Sequence, residues 1–133
     1  MRRRLFCTLL LAGSWACATQ PPPQSLGETE LVRGWVRAHE EELPGDSVQV
    51  FRPEGAVALP PSRFRMAYRF AAGGTCEWLF LSPDDNHRFK PGTWMIQPGA
   101  EPLLRIAAEG TTTTFRIAEL SASVLRLVPR STE

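Results

Sequence analysis

Residues 63–80 read RFRMAYRFAAGGTCEWLF, and they decide the fold. Between Phe64 and Phe70 every second side chain is apolar, which is the pattern of a strand that buries one face. The loop at 71–75 contains two glycines that turn the chain, and a second alternating segment follows. One register of this antiparallel hairpin places apolar side chains together inside and opposite charges together outside. Its predicted pairs are Phe70 with Cys76, Tyr68 with Trp78 and, on the outer face, Arg69 with Glu77.

Similar short segments continue along the chain and are separated by Gly, Pro and Asp, with Pro91-Gly92 interpreted as one of the turns. The spacing of the segments predicts an all-β fold, a small antiparallel barrel of about eight strands, with a β-sandwich as the alternative. The predicted strands are Leu31–His39, Ser47–Phe51, Arg63–Phe70, Cys76–Ser82, Thr93–Gln97, Leu103–Ala107, Thr112–Leu120 and Val124–Val128.

The predicted interior is crowded, because the later strands continue an inward set of large apolar residues from Trp94 to Leu127. An eight-stranded barrel is just wide enough to be filled by side chains or to hold one small ligand. We therefore expect a filled centre and a pocket below about 300 Å³, the lower end for ligand sites, at one mouth. The pocket is predicted to be bordered either by the loop at 83–91 or by the segment at 53–61.

The first residues predict an export signal. Arg2–Arg4 form a basic start, an apolar run extends from Leu5 to Ala16, and Cys17 follows. Cys17 is predicted to be the lipidated residue of a lipoprotein. The alternative is cleavage by ordinary signal peptidase before Thr19, which would leave no lipid.

The domain organisation follows from this signal. We predict a signal peptide at 1–16, a disordered tether at 17–30 that contains three consecutive prolines, and a β-barrel domain at 31–133. The predicted location is the outer membrane or a periplasm-facing surface, with the lipid as the contact to the membrane. A soluble secreted or periplasmic protein is the alternative.

Charge and cysteine content exclude two classes. Removing the three signal arginines leaves 12 basic and 14 acidic residues, so no basic face is expected and no nucleic-acid partner. Cys76 is the one cysteine beyond the tether, so the domain has no internal disulfide. Its position in the inward set predicts a small buried hydrophobe instead of a nucleophile.

At this point the chain resembles the small lipocalin-like proteins of bacterial envelopes. The resemblance implies a ligand-binding barrel and an arginine stacked on the opening Trp35, for which Arg126 and Arg130 are the candidates. The motifs that carry it are Gly34-Trp35, Pro61–Arg65, Tyr68–Phe70, Gly74–Leu79, Pro83–His87 and Gly92–Trp94.

The candidate site residues fall into two groups. Arg63, Arg65, Tyr68, Trp78 and Trp94 are predicted to bind a small apolar or anionic ligand, although cross-strand ion pairs and core packing explain the same residues. The loop residues Asp84, Asp85 and His87 are candidates for a cation, but a turn is the favoured explanation and no metal site is predicted.

The sequence therefore predicts an extracytoplasmic binding or interaction module, without a cofactor and without catalysis. The first alternative is an envelope structural or inhibitor domain that binds another protein and no small ligand. The second alternative is a hydrolase that uses the loop at 84–87.

Overall fold

The computed structural model describes residues 27–130. A helix of one turn, α1 (Glu28–Leu31), precedes eight strands, and a 3₁₀ turn at His39–Glu41 follows the first of them. Within this part of the chain no helix has the length and apolar character needed to cross a bilayer. The strands are β1 (Gly34–Arg37), β2 (Gln49–Pro53), β3 (Ala67–Phe70), β4 (Thr75–Phe80), β5 (Arg88–Gln97), β6 (Leu103–Ala108), β7 (Thr111–Leu120) and β8 (Leu125–Arg130).

The eight strands form one closed antiparallel barrel, in the order β1-β2-β8-β7-β6-β5-β4-β3, and this confirms the predicted fold class. Strands β3 to β8 are joined as a simple meander. The hairpin of β1 and β2 fills the remaining gap with β2 beside β8 and β1 beside β3. In a strict up-and-down barrel β1 would neighbour β8. Because β2 and β3 lie on either side of β1, residues 54–66 cross β1 from one end of the barrel to the other.

The predicted register of the hairpin at 63–80 is confirmed. Tyr68 pairs with Trp78, Phe70 with Cys76, and Arg69 with Glu77. The ion pair of Arg69, however, is made with Glu54, with Nη2 and Oε1 2.7 Å apart. Glu54 follows β2 directly, so the start of the crossing segment brings an acid nearer to Arg69 than the cross-strand neighbour.

The core lies between α1 and the centre of the barrel. Leu31 and Trp35 are completely buried, and Trp35 Nε1 donates to the Leu31 carbonyl at 3.0 Å. The guanidinium over the Trp35 ring belongs to Arg33, 5.6 Å from the ring centroid. The expectation of Arg126 or Arg130 there is wrong, since these two bind Glu119 and Glu101 on the outer surface.

Strand β5 begins at Arg88, five residues before the predicted start at Thr93. Pro91 lies inside the strand, where it pairs with Glu77 of β4, whereas the pairing of β5 with β6 begins only at Thr93. Pro91 has no N–H to donate, but β6 does not pair with it, so no hydrogen bond between β5 and β6 is lost there. Proline is usually found at such unpaired edges of a strand. The strand therefore continues through Pro91 and Gly92, and the turn predicted there is wrong.

The last residues of the predicted tether are ordered, and the first strand begins at Gly34 instead of the predicted Leu31. Residues 28–30, which the sequence assigned to the tether, lie in α1, and Leu31 packs in the core. The predictions for residues 1–26, namely the signal peptide, the lipidation of Cys17 and the greater part of the tether, lie outside the described residues.

Candidate functional site

The two ends of the barrel differ. The helix end carries α1 and the loops at 71–74, 98–102 and 121–124, and the pocket end carries the loops at 38–48, 81–87 and 109–110. A cavity of about 360 Å³ opens at the pocket end. Of its lining residues, Met66 comes from the crossing segment and Glu109 from the turn between β6 and β7. Strand residues form the rest of the walls: Tyr68, Trp78, Ile106, Ala108, Thr111 and Thr113.

This cavity exists because the inward side chains become small toward the pocket end. On β7 the inward positions run from buried Phe115 through Thr113 to Thr111, and their partners on β6 are Leu104, Ile106 and Ala108. Thr111 and Ala108 are smaller than Phe115 and Leu104, which form the corresponding pair deeper in the barrel. The smaller pair leaves volume that no side chain fills. The two aromatic residues, Tyr68 and Trp78, form the remaining wall.

Tyr68 lies deepest among the polar residues of the cavity. It is 8% exposed, and its ring stacks on Phe70 with centroids 5.7 Å apart and contacts Phe51 at 5.8 Å. Burial raises the pKa of the phenol to about 12, because a phenolate would lose its hydration, although the nearby Arg37 acts in the opposite direction. Tyr68 is therefore a neutral hydroxyl at ordinary pH.

Trp78 is half-buried and presents an unused hydrogen-bond donor. Its Nε1 is shielded from solvent and has no acceptor among the residues that the structure describes. Buried N–H groups are normally paired, so an acceptor from outside the protein would lower the free energy of this site. The ring edge contacts Phe80, with the centroids 5.6 Å apart.

Two ion pairs lie at the pocket end, and both cations lie on inward faces of their strands. Arg37, two residues after Trp35 on β1, binds Glu42 with Nε and Oε1 2.7 Å apart. Lys90, opposite Trp78 in the ladder, binds Glu109 at 2.5 Å. The pocket end thus combines aromatic walls with paired charges.

Only part of the predicted ligand site is assembled. Tyr68 and Trp78 share the cavity, as their hairpin register implies. Trp94 lies at the helix end instead, where Nε1 donates to the Ala71 carbonyl at 3.0 Å and its ring contacts Phe70. On β5 it lies four residues beyond Lys90, toward the helix end, and it belongs to the core.

Arg63 and Arg65 stand outside the cavity. Arg65 binds Glu40 and donates to the carbonyls of Arg37 and Pro60, which fixes the crossing segment to β1. Arg63 is largely exposed and lies 3.5 Å from Asp85. The ion-pair interpretation of both residues therefore fits the structure better than anion binding.

The loop with Asp84, Asp85 and His87 has the geometry of a turn. Asp84 accepts hydrogen bonds from the Ser82 hydroxyl and the Asn86 backbone N–H, and Asp85 has a φ of +59°. His87 contacts the Phe64 ring edge-on at 5.3 Å. Among residues 27–130 no group of three acidic, His or Cys side chains is arranged to hold a metal ion.

The cavity lies at one end of the barrel, as predicted, but its lining residues differ from the predicted ones. Neither the 83–91 loop nor the 53–61 segment lines it, and its volume exceeds the expected limit of about 300 Å³. Lys90, Glu109, Thr111 and Thr113 were not proposed from the sequence. Continuing the inward parity of Phe115 back along β7 would have identified both threonines.

Two larger clefts flank α1 at the helix end. One, of about 810 Å³, lies against Ile117 and Leu120, and the other, of about 630 Å³, lies against Val32 and Trp94. Both include residues from 27–30, where the described chain begins. The cavity at the pocket end includes none of residues 27–30, so it is the better defined site.

Comparison of the chain with protein-family models, with curated proteins and with solved structures finds no match. The lipocalin-like resemblance is therefore supported at the level of architecture alone, by the closed antiparallel barrel of eight strands. Because one fold serves many functions, the function depends on the residues of the pocket.

Proposed function

We propose that this chain is an exported binding module, anchored through lipid at Cys17, that holds a small ligand at the pocket end of its barrel. The observation that carries the proposal is the cavity of about 360 Å³ with Tyr68 and Trp78 in its wall. Ligand sites begin at about 300 Å³ and are mainly apolar with a few polar groups, and this cavity has both properties.

The two ends of the barrel suit an anchored binder. The described chain begins with Gly27 at the helix end, while the cavity opens at the opposite end. A lipid at Cys17 would therefore hold the helix end toward the membrane and leave the mouth of the cavity in solvent.

The proposal includes no reaction. The one thiol of the described chain, Cys76, is buried, and burial raises its pKa, which opposes the reactive thiolate form. It also faces Gly92, where an added Cβ would lie 3.3 Å from Sγ. Close packing of this kind suits a structural thiol.

A protein partner is the second candidate. Leu43 and Leu81, in two loops of the pocket end, are 70% and 53% exposed. A partner that covered this end would bury both side chains and would close the cavity. Binding of a small probe to the isolated protein separates the two functions.

The test uses N-phenyl-1-naphthylamine, a neutral apolar dye whose fluorescence rises in an apolar site. The purified mature chain should enhance its fluorescence, and Thr113→Phe, which fills the cavity, should abolish the enhancement. Thr112→Phe is the matched control, because Thr112 is exposed on the outer face of the same strand. Equal enhancement by both variants would refute the pocket assignment.

A further inference from the structure

Lys90 is the only lysine in the chain, and it points toward the mouth of the barrel. On β5 it shares a face with Trp94, and its side chain is 18% exposed. Nζ lies 3.6 Å from the centroid of the Phe80 ring and 5.9 Å from that of Trp78. An ammonium held against two rings is a positioned positive charge beside the cavity.

The two acids that pair with inward cations at the pocket end, Glu42 and Glu109, are held very differently. The Glu42 side chain is 17% exposed, binds Arg37 through both carboxylate oxygens, and accepts a further hydrogen bond from the Val50 backbone N–H. The Glu109 side chain is 53% exposed, and within residues 27–130 Lys90 is its one hydrogen-bond partner. Glu109 is thus the acid that an incoming group can displace.

Several groups that can donate a hydrogen bond surround the cavity. The unpaired N–H of Trp78 lies in one wall, and the hydroxyl groups of Thr111 and Thr113 belong to the other. Lys90 adds a charged donor once Glu109 moves away. A ligand with a strong acceptor and an aromatic ring would complement these groups.

We propose that the cavity takes a small aromatic carboxylate, whose ring lies against Tyr68 and Trp78 and whose carboxylate replaces Glu109 on Lys90. The released Glu109 side chain turns into solvent, so no charge is left buried and unpaired. This inference rests on the proposed function, since it names the ligand class of the same pocket.

Three probes that share one ring system test the ligand class: 2-naphthoate, the neutral 2-naphthamide and the cation 2-naphthylmethylamine. Calorimetric titration of the mature chain should give the lowest Kd for 2-naphthoate, about tenfold below that of 2-naphthamide, as a hydrogen bond to a charged group implies. Equal or tighter binding of the amide or the amine would overturn the inference and leave the pocket standing. Binding of none of the three would refute the proposed function itself.

Variants locate the charge that gives the preference. Lys90→Met should weaken 2-naphthoate about tenfold and leave 2-naphthamide unchanged. Glu109→Gln keeps Lys90 and removes its competing acid, so it should tighten 2-naphthoate; weaker binding would contradict the exchange. Arg105→Met is the control, because it removes a positive charge from the exposed face of β6 and should change neither affinity.

Discussion

Tyr68 is the only tyrosine in the chain, so the ionisation of one phenol reports directly on the inner wall of the cavity. Burial raises the pKa of Tyr68 from 10 to about 12. We predict that the phenolate absorbance of the folded protein rises around pH 12. In concentrated urea, where the phenol is hydrated, the same absorbance should rise around pH 10.

The same shift gives a contribution to stability with a definite sign. A raised folded-state pKa means that the folded protein holds the proton more tightly, so the stabilisation is complete below about pH 10 and is lost as the pH rises toward 12. Raising a pKa by this amount corresponds to about 3 kcal/mol. The free energy of unfolding should therefore fall by about this amount over the interval, apart from other groups that titrate there.

Tyr68→Phe supplies the control for both measurements. Among the described residues the Tyr68 hydroxyl makes no hydrogen bond, so its removal should leave stability near neutral pH almost unchanged and should reduce the loss above pH 10. Far-ultraviolet circular dichroism at each pH shows whether the protein is still folded. A folded protein whose phenol ionises near pH 10 would refute the burial of Tyr68 and the geometry of the cavity.

Three further outcomes test other parts of the structure. Arg65→Ala should lower the melting temperature more than Arg63→Ala, because Arg65 binds Glu40 and two backbone carbonyls while Arg63 is exposed. Equal decreases in melting temperature would show that Arg65 does not fix the crossing segment. Acid should destabilise the protein, because the hydrogen bond from Arg65 lowers the pKa of Glu40 to about 2. The stabilisation from this pair is present above about pH 4.5 and is lost as the pH falls toward 2. An unchanged midpoint of urea unfolding over this pH range would contradict the role of the pair. Intact-mass analysis of the membrane-extracted protein should show a chain that begins at acylated Cys17, whereas an unmodified chain beginning at Thr19 would exclude the lipid.

The fold was predictable because local signals agreed with each other. Alternation on both sides of the loop at 71–75 set a register, and the same alternation recurs on the later strands. The position of β1 and β2 was not predictable in this way. It depends on the long connection at 54–66, whose path is fixed by contacts such as that of Arg65 with the Arg37 carbonyl, and these are distant in sequence.

The site was harder to predict than the fold, because a cavity depends on side chains that are too small to fill the barrel. Apolar patterns identify large residues such as Trp78 and pass over Thr111 and Thr113, which look like ordinary strand residues. Lys90 was missed for a second reason. The following Pro91 suggested a turn, whereas proline is tolerated there because β6 does not extend to it.

The most direct test of the pocket is the indole region of a ¹H–¹⁵N spectrum. Trp35 and Trp94 donate their N–H groups to backbone carbonyls, whereas that of Trp78 has no acceptor within residues 27–130. Titration of the labelled mature chain with N-phenyl-1-naphthylamine should therefore shift the Trp78 indole signal and leave the other two in place. A titration that moves the Trp94 signal instead, or that moves none, would contradict a binding site at the pocket end.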